Sequence, residues 1–386
     1  MIIQGATIYG TSIYDQSDLY PFGSFTFTSN IVGPLGPTLG NIYNIYSNTG
    51  NTWITNTEYL TVPNDWRGYQ IWTAPRTGPY RITAAGSRSG VIASFSGGNT
   101  SYGNAHGRGA VVQGIFNISR GDKLTLVVGQ PSANTTMVST YSSPAGGGGS
   151  FVALGNIASV GFANLVPLII GGGGGSPGAW TSNAAILPGG YGVTTKRGGN
   201  SAGNLGATAT TLRFGAPGGV GGSGGNTHVS VTGVVSANGF DSGAGAGWSG
   251  NGITWTGTIW TANTRVAPSG AGGGGGTSFQ ANAKGGMYST TYPPPATNLG
   301  GFGGGGGSGP ITGGGGGGYS GGGGTYSGGS TQIDSGGGGG SYIDANATSV
   351  ATSDGQFDRD STFNGAAITN LGFYNNTAGY ISIVRL

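Results

Sequence analysis

The chain has 386 residues, of which 90 are glycine, with 14 basic against 11 acidic side chains and no cysteine. A hydrophobic share of 35% beside a charged share of only 6% excludes the usual disordered polyelectrolyte, in which sparse apolar residues accompany high net charge. The basic residues are scattered, with no run longer than Lys196-Arg197, which argues against nucleic acid as a partner, and the missing cysteines exclude a disulfide-stapled domain.

The start, Met1-Ile2-Ile3-Gln4-Gly5, lacks the charged and apolar regions of a signal peptide. Residues 1–50 carry Tyr9, Tyr14, Tyr20, Phe22, Phe25, Phe27, Tyr43 and Tyr46, with one Gly-Pro-Leu-Gly-Pro turn at 33–37. Alternation in Ser24-Phe25-Thr26-Phe27-Thr28 predicts a strand, and the segment reads as an N-terminal arm or attachment piece. Further strands are expected at 80–84, where Tyr80-Arg81-Ile82-Thr83-Ala84 alternates, and at 110–118. Another is expected at 124–128, joined to its predecessor by the polar turn Ser119-Arg120-Gly121-Asp122 as a hairpin. The stretch Leu165-Val166-Pro167-Leu168-Ile169-Ile170 is far too short to span a bilayer, so no membrane insertion is expected. A last strand, Gly379-Tyr380-Ile381-Ser382-Ile383-Val384-Arg385-Leu386, is placed to close a sheet begun some three hundred residues earlier. No window combines apolar residues at helical spacing with caps, which predicts essentially no α-helix.

Glycine is bunched into runs at 146–149, 171–175, 272–276, 303–307, 313–318, 321–324 and 336–340. It loses more backbone entropy on folding than any other residue, so the runs need an unusual packing if they are to be ordered. A flexible linker is one account of 171–340. The other is a bundle of extended helices with three residues per turn, in the polyproline II geometry, hydrogen-bonded to one another. Several runs adjoin strand-like or aromatic residues: Leu168-Ile169-Ile170 precedes one, and Phe151 and Tyr342 follow others. A long disordered stretch inside a closed sheet is uncommon, and the ordered account is preferred. The expected division is an arm at 1–50, a β-sandwich from 51–170 plus 341–386, and a glycine-rich insertion at 171–340.

Ile71-Trp72-Thr73-Ala74-Pro75 through Tyr80-Arg81-Ile82-Thr83-Ala84-Ala85-Gly86 resembles the opening of the glycine-rich domain family, which includes the extracellular region of anaplastic lymphoma kinase and many phage and bacterial proteins. Further matches follow in family order. Leu124-Thr125-Leu126-Val127-Val128-Gly129-Gln130 is similar to the strand ending in VGQ, 146–151 to the GGGGSF step, and Pro167-Leu168-Ile169-Ile170 with its five glycines to PLLVAGGGGG. Gly379-Tyr380-Ile381-Ser382-Ile383 resembles the closing strand. The matches span roughly residues 70–386. The resemblance implies an all-β fold, a jelly-roll-like β-sandwich carrying an inserted polyglycine II helix bundle. Related lattices occur in the distal tail-fibre adhesins of T-even-like phages. The receptor members carry cysteines and a signal peptide, both missing here, which turns the expectation toward a virion protein assembled in the host cytoplasm.

Enzyme chemistry finds little footing, and no cofactor is expected. His106 and His228 are the two histidines. Gly-x-Ser-x-Gly occurs at 221–225 and 318–322, without the preceding hydrophobic strand of a nucleophile elbow. No glycine run ends in Gly-Lys-Ser or Gly-Lys-Thr, the signature of a P-loop. Asp354, Asp358 and Asp360 are too widely spaced for a calcium loop and have Arg359 as a counter-charge. Arg120-Gly121-Asp122 spells an adhesive tripeptide, but its place between two strands makes it a turn. The aromatic residues between glycine runs remain as candidates for host contact: Trp180, Trp248, Trp255, Trp260, Tyr288 and Tyr292. Rigid aromatic side chains bind at low entropy cost, and the same rings serve equally to cover the lattice. The expected role is a phage tail-fibre or adhesin subunit, a homotrimer. It would dock to other virion proteins through its N-terminal segment and meet a host surface glycan or outer-membrane protein. A capsid decoration or head-fibre protein is the near alternative, and a non-viral surface binding module or an ice-binding protein are remoter ones.

Overall fold

Phe25 and Phe27 alternate with Ser24 and Thr26, and the two-residue period of an extended chain turns both rings to one side. They form β1 (Ser24–Phe27), whose burial alternates accordingly. The computed structural model describes residues 17–95, 105–137, 143–180, 185–203, 215–227, 242–254, 259–261, 264–266, 273–287, 299–309, 312–325, 334–353 and 369–386. After β1 come α1 (Leu39–Tyr46), β2 (Leu60–Thr61), β3 (Tyr69–Thr73), β4 (Gly78–Ala85), β5 (Ile92–Phe95), β6 (Val111–Ile118), β7 (Lys123–Val127) and β8 (Thr135–Met137). Next are β9 (Ser150–Leu154), α2 (Ile157–Val160), β10 (Val166–Gly171), β11 (Gly178–Trp180), β12 (Ala185–Leu187), β13 (Ala202–Gly203), β14 (Ile259–Thr261) and β15 (Thr264–Val266). The last are β16 (Asp334–Ser335), β17 (Tyr342–Ile343), β18 (Thr348–Thr352), β19 (Thr369–Asn370) and β20 (Tyr380–Arg385).

Among the described residues the regular structure is mostly strand, organised chiefly in two six-stranded sheets, with little helix. The first runs β1-β20-β4-β6-β18-β19 and the second β17-β10-β9-β7-β3-β2. One apolar cluster joins them. Phe27, Ile82, Ala84, Val112, Ile381 and Ile383 come from the first sheet, and Trp72, Leu124, Leu126, Val152, Ile169 and Ile343 from the second. Burying each large apolar side chain contributes roughly 1.5–3 kcal/mol.

The late strand is not an edge. β20 lies between β1 and β4, with Ile383 opposite both Phe25 and Ile82. The segment 17–50 is therefore no separate arm: Tyr20, Phe22, Phe25, Phe27, Ile42 and Tyr46 sit in the sandwich core. Their aromatic texture reflects core filling, and the first sixteen residues lie outside the described set. Helix α1 is the main departure from the expected lack of helix. The Thr38 hydroxyl accepts from the Asn41 amide at 3.2 Å, while the Asn41 side chain accepts from the Thr38 amide at 3.0 Å. This reciprocal cap starts eight residues that bury Ile42 and Tyr46, four apart on one face.

The two sheets differ in their outer faces. On the first, Thr83 and Gln113 are paired in register and hydrogen-bonded at 2.8 Å. On the second, the outward row Tyr69, Val127, Phe151, Ile170 and Tyr342 runs in register across β3, β7, β9, β10 and β17. Tyr69, Val127, Phe151 and Ile170 are buried in a second apolar cluster, completed by Ile157, Leu165, Phe279, Ala283 and Phe302, and Tyr342 packs half-buried against it. Glycine-rich chain thus covers the outer face of this sheet, which explains why every residue of β3 is buried. The Phe302 ring occupies the gap between Gly36 and Gly68, where an added Cβ would stand 2.7 and 2.4 Å from its tip.

Apart from Gly171, which ends β10, the described glycine runs are neither α-helix nor ladder strand. Many of their main-chain bonds go to other runs. Gly147 N–H donates to Gly174 O (2.8 Å), Gly173 N–H to Gly317 O (2.7 Å), and Gly317 N–H back to Gly147 O (3.0 Å). Gly339 N–H joins the same set through Gly173 O (2.8 Å), and Gly316 N–H reaches Gly337 O (2.9 Å). Buried backbone groups must be paired, and here glycine pairs with glycine without a side chain intervening. A Cβ on Gly148 would lie 1.7 Å from Phe302 O, and one on Gly317 would lie 2.0 Å from Gly303 O. Only glycine fits at that approach.

Candidate contact surface

Trp248 is the one anticipated contact residue whose ring is described. It stacks on Phe279 with centroids 4.5 Å apart and planes 18° apart, and lies 5.0 Å from the Phe162 ring. Its main chain is held at both ends: Trp248 N–H donates to Tyr319 O at 2.8 Å, and its carbonyl accepts from Gln280 N–H at 3.3 Å. Half-buried against the second apolar cluster, Trp248 covers the joint between glycine-rich chain and sheet.

Trp180 ends β11 opposite Ala185 of β12, and Trp260 sits in β14 opposite Arg265 of β15. Each of these pairs is a two-stranded sheet outside the two large ones. Trp255, Tyr288 and Tyr292 lie outside the described residues.

Two aromatic groupings are assembled from parts too distant in sequence to be anticipated. Tyr319 stacks on Tyr342 at 4.7 Å and 26°, with the Lys196 ammonium 5.3 Å from the Tyr342 centroid. Elsewhere the Arg108 guanidinium stands 5.5 Å from the Tyr191 centroid, and Tyr191 packs on Tyr374 at 5.1 Å. Tyr191 and Phe373 are 39% and 52% exposed. The one local signal was a tyrosine directly after a glycine run or pair: Tyr191 after Gly189-Gly190, Tyr319 after 313–318, and Tyr342 one residue beyond 336–340.

Main-chain bonds fix the second grouping. Gly192 N–H donates to Arg108 O and Gly189 N–H to Ala105 O, both at 2.7 Å. Gly109 and Asn375 exchange bonds of 2.9 and 2.7 Å. Asn375 is itself buried, and its side-chain amide donates to Gly86 O and Ala378 O, each at 2.8 Å. Neighbouring Asn376 bonds the Nε2 of buried His106.

The remaining motifs resolve into turns where they are described. Asp122 accepts from Ser119 N–H at 2.8 Å, Arg120 Nε donates to Ser17 O at 3.1 Å, and Gly121 takes φ +87°. Both charged side chains of the tripeptide thus hold the β6–β7 turn. In the 221–225 motif, Ser223 Oγ accepts from Val220 N–H at 2.9 Å, closing a tight turn with Gly221 at φ +61°. Ser320 of the other motif is buried and accepts from Gly222 N–H at 3.1 Å. His228, Asp354, Asp358 and Asp360 lie outside the described residues. Among the described residues no three His, Asp or Glu side chains are grouped as for a metal ion, and no helix is long and apolar enough to cross a membrane.

Titration is perturbed mainly by burial. Desolvation raises the phenols of Tyr20, Tyr46 and Tyr69 above their ordinary value, and lowers the guanidinium of Arg88. Arg88 donates to Ser89 O at 2.7 Å and to Asn134 Oδ1 at 3.3 Å. These groups hold loops and core together. No family model matches the chain.

Proposed function

We propose that this chain is a non-enzymatic structural protein of a tailed-phage virion, an adhesin-type tail-fibre subunit that contributes to host-surface attachment. In this reading the two sheets form a jelly-roll-like sandwich, and the glycine runs form a polyglycine II bundle seated on its outer face. The carrying observation is the cross-run bonding of Gly147, Gly173 and Gly317. It supports a rigid platform that spends no side chains on its own cohesion and leaves the interrupting segments for recognition. The bundle geometry is supported by the Cβ-excluding approaches at Gly148 and Gly317, since three-residue-per-turn helices pack that closely only when made of glycine. Attachment to other virion proteins is proposed for the N-terminal segment where it is not taken up in the sandwich core, and the host-facing role for segments between glycine runs. A homotrimer is the proposed assembly, closed symmetry being the rule for such subunits.

The test is direct. Antibody raised against the purified chain should decorate the tails of particles whose genome encodes it, and the flanking genes should encode tail or baseplate parts. Decoration of the capsid would move the protein to the head. Metabolic neighbours and unlabelled particles would end the virion reading.

A further inference from the structure

We propose that Arg108, Tyr191 and Tyr374 form a subsite for a carboxylated pyranose, an acidic sugar residue of a surface polysaccharide. The inference rests on the adhesin reading only for its biological setting.

The argument starts from the donors. Arginine carries five N–H groups in the plane of its guanidinium. Stacking on an aromatic ring engages the face of that plane and leaves its edge free. The Arg108 guanidinium carbon lies over the Tyr191 ring, 5.5 Å from its centroid, and its Nε is enclosed without an acceptor. No carboxylate pairs with it among the described residues, whereas Arg385 is paired with Asp18. A half-exposed cation held against a ring is a receptor for an anion with two oxygens, and a carboxylate matches it edge to edge.

The rings supply the second half of the chemistry. Tyr191 is well exposed, carries the Arg108 guanidinium on its ring and has Tyr374 packed against it at 54°. The C–H face of a pyranose stacks on such rings, and the Tyr191 hydroxyl serves a ring hydroxyl. Asn376 lies one residue beyond the Gly109–Asn375 bridge and is exposed; its Oδ1 faces His106, leaving the amide NH2 as a further donor. A nucleic-acid or lipid phosphate fits less well, because one cation in a chain of net charge +3 gives little purchase on a polyanionic surface. The pieces come from three segments locked by main-chain bonds at Gly109, Gly189 and Gly192. Binding therefore orders few side chains, which favours affinity for a small ligand.

The test uses the full chain and two probes: a glucuronate-containing tetrasaccharide, and the same tetrasaccharide with its carboxyl groups reduced to alcohols. Saturation-transfer NMR and calorimetry should detect the acidic probe and show about tenfold weaker binding of the reduced one. Arg108→Gln should lose a similar factor for the acidic probe alone. Tyr191→Ala should weaken both probes, and amide exchange across 105–109 and 371–376 should confirm that each variant keeps its fold. Equal binding of the two probes, or unchanged binding by both variants, overturns the proposal. A lattice-borne adhesin that ignores acidic sugars would leave the virion reading standing. Binding by a chain never found on particles would leave the subsite standing. Capsular and lipopolysaccharide sources are separated by repeating the assay with each purified polymer.

Discussion

The Tyr69 hydroxyl donates to the main-chain carbonyl of Phe279, 210 residues further along, while their rings meet at 5.1 Å and 60°. Tyr69 belongs to β3 and Phe279 to a short turn of helix between glycine-rich stretches. The one contact joins sandwich to glycine layer through both packing and a polar bond. Tyr69→Phe keeps the packing and orphans a buried acceptor, at a cost of about 1–3 kcal/mol. Urea unfolding of the purified variant should show that loss. Amide exchange should rise first in 273–287, ahead of the first sheet.

Alkali should unfold the protein through its buried phenols. Tyr20, Tyr46 and Tyr69 are raised above the ordinary value of 10.0, with desolvation the largest cause in each. Above that value the unfolded chain gives up phenolic protons that the folded chain retains. The unfolded state then binds fewer protons, so stability is full below pH 10 and falls as pH rises beyond it, by roughly 1.4 kcal/mol per pH unit for each such tyrosine. Tyrosinate absorbance and loss of sheet signal should therefore rise together. Separate transitions would contradict the assignment.

Glycine substitutions should divide sharply by position. Gly148→Ala places a Cβ 1.7 Å from Phe302 O, against backbone that cannot swing aside. The expected result is loss of soluble protein, or destabilisation of several kcal/mol (~3 or more). At Gly23 a Cβ meets nothing within 4 Å, and Gly23→Ala should fold as well as the parent. Comparable melting temperatures for the two variants would refute the close-approach account.

Trp248→Ala should act on stability before it acts on adsorption, because the ring is engaged with Phe279 and Phe162. A loss of about 1–3 kcal/mol is expected for a half-buried stacked ring. The paired change Trp255→Ala with Trp260→Ala carries the opposite expectation: adsorption to host cells falls while particle assembly continues. Unchanged adsorption by that double variant would remove those two residues from the contact surface.

Deleting residues 380–386 should abolish folding. β20 is bonded on both sides, to β1 and to β4, so its removal opens the first sheet at its middle. Adding the deleted segment back as a peptide should restore sheet content in part; a stable truncated chain would argue that β1 and β4 can pair directly.

Much of the framework was legible in residue order. The strand segments at 80–84, 110–118 and 124–128 became β4, β6 and β7, but the expected hairpin did not form: the Ser119–Asp122 turn carries the chain from the first sheet to the second, where β6 pairs with β4 and β18 and β7 with β3 and β9. The placement of 17–50 was not legible, because aromatic alternation looks the same in an arm and in a core strand; the partner β20 decides between them. The outer face of the second sheet was hidden for a similar reason. Tyr69-Gln70-Ile71-Trp72 has bulky apolar residues on both sides, and a doubly buried strand loses the alternation that would reveal its partners. Helix α1 was missed because eight residues with one cap fall below the length at which periodicity speaks. The Arg108–Tyr191–Tyr374 grouping draws on three distant segments, and composition carries no trace of it.

The cross-run glycine bonds also constrain how such a gene can drift. Any replacement of glycine adds at least a Cβ, and in the interlocked runs that atom collides with backbone. Variation is therefore purged from the runs and accumulates in the segments between them. Each run is docked by its own main-chain bonds, so an intervening segment can lengthen or shorten without shifting the next run out of register. Lineages of this protein should differ in the size and wording of their interruptions while the glycine blocks stay in step, a division of labour set by the space around a single missing carbon.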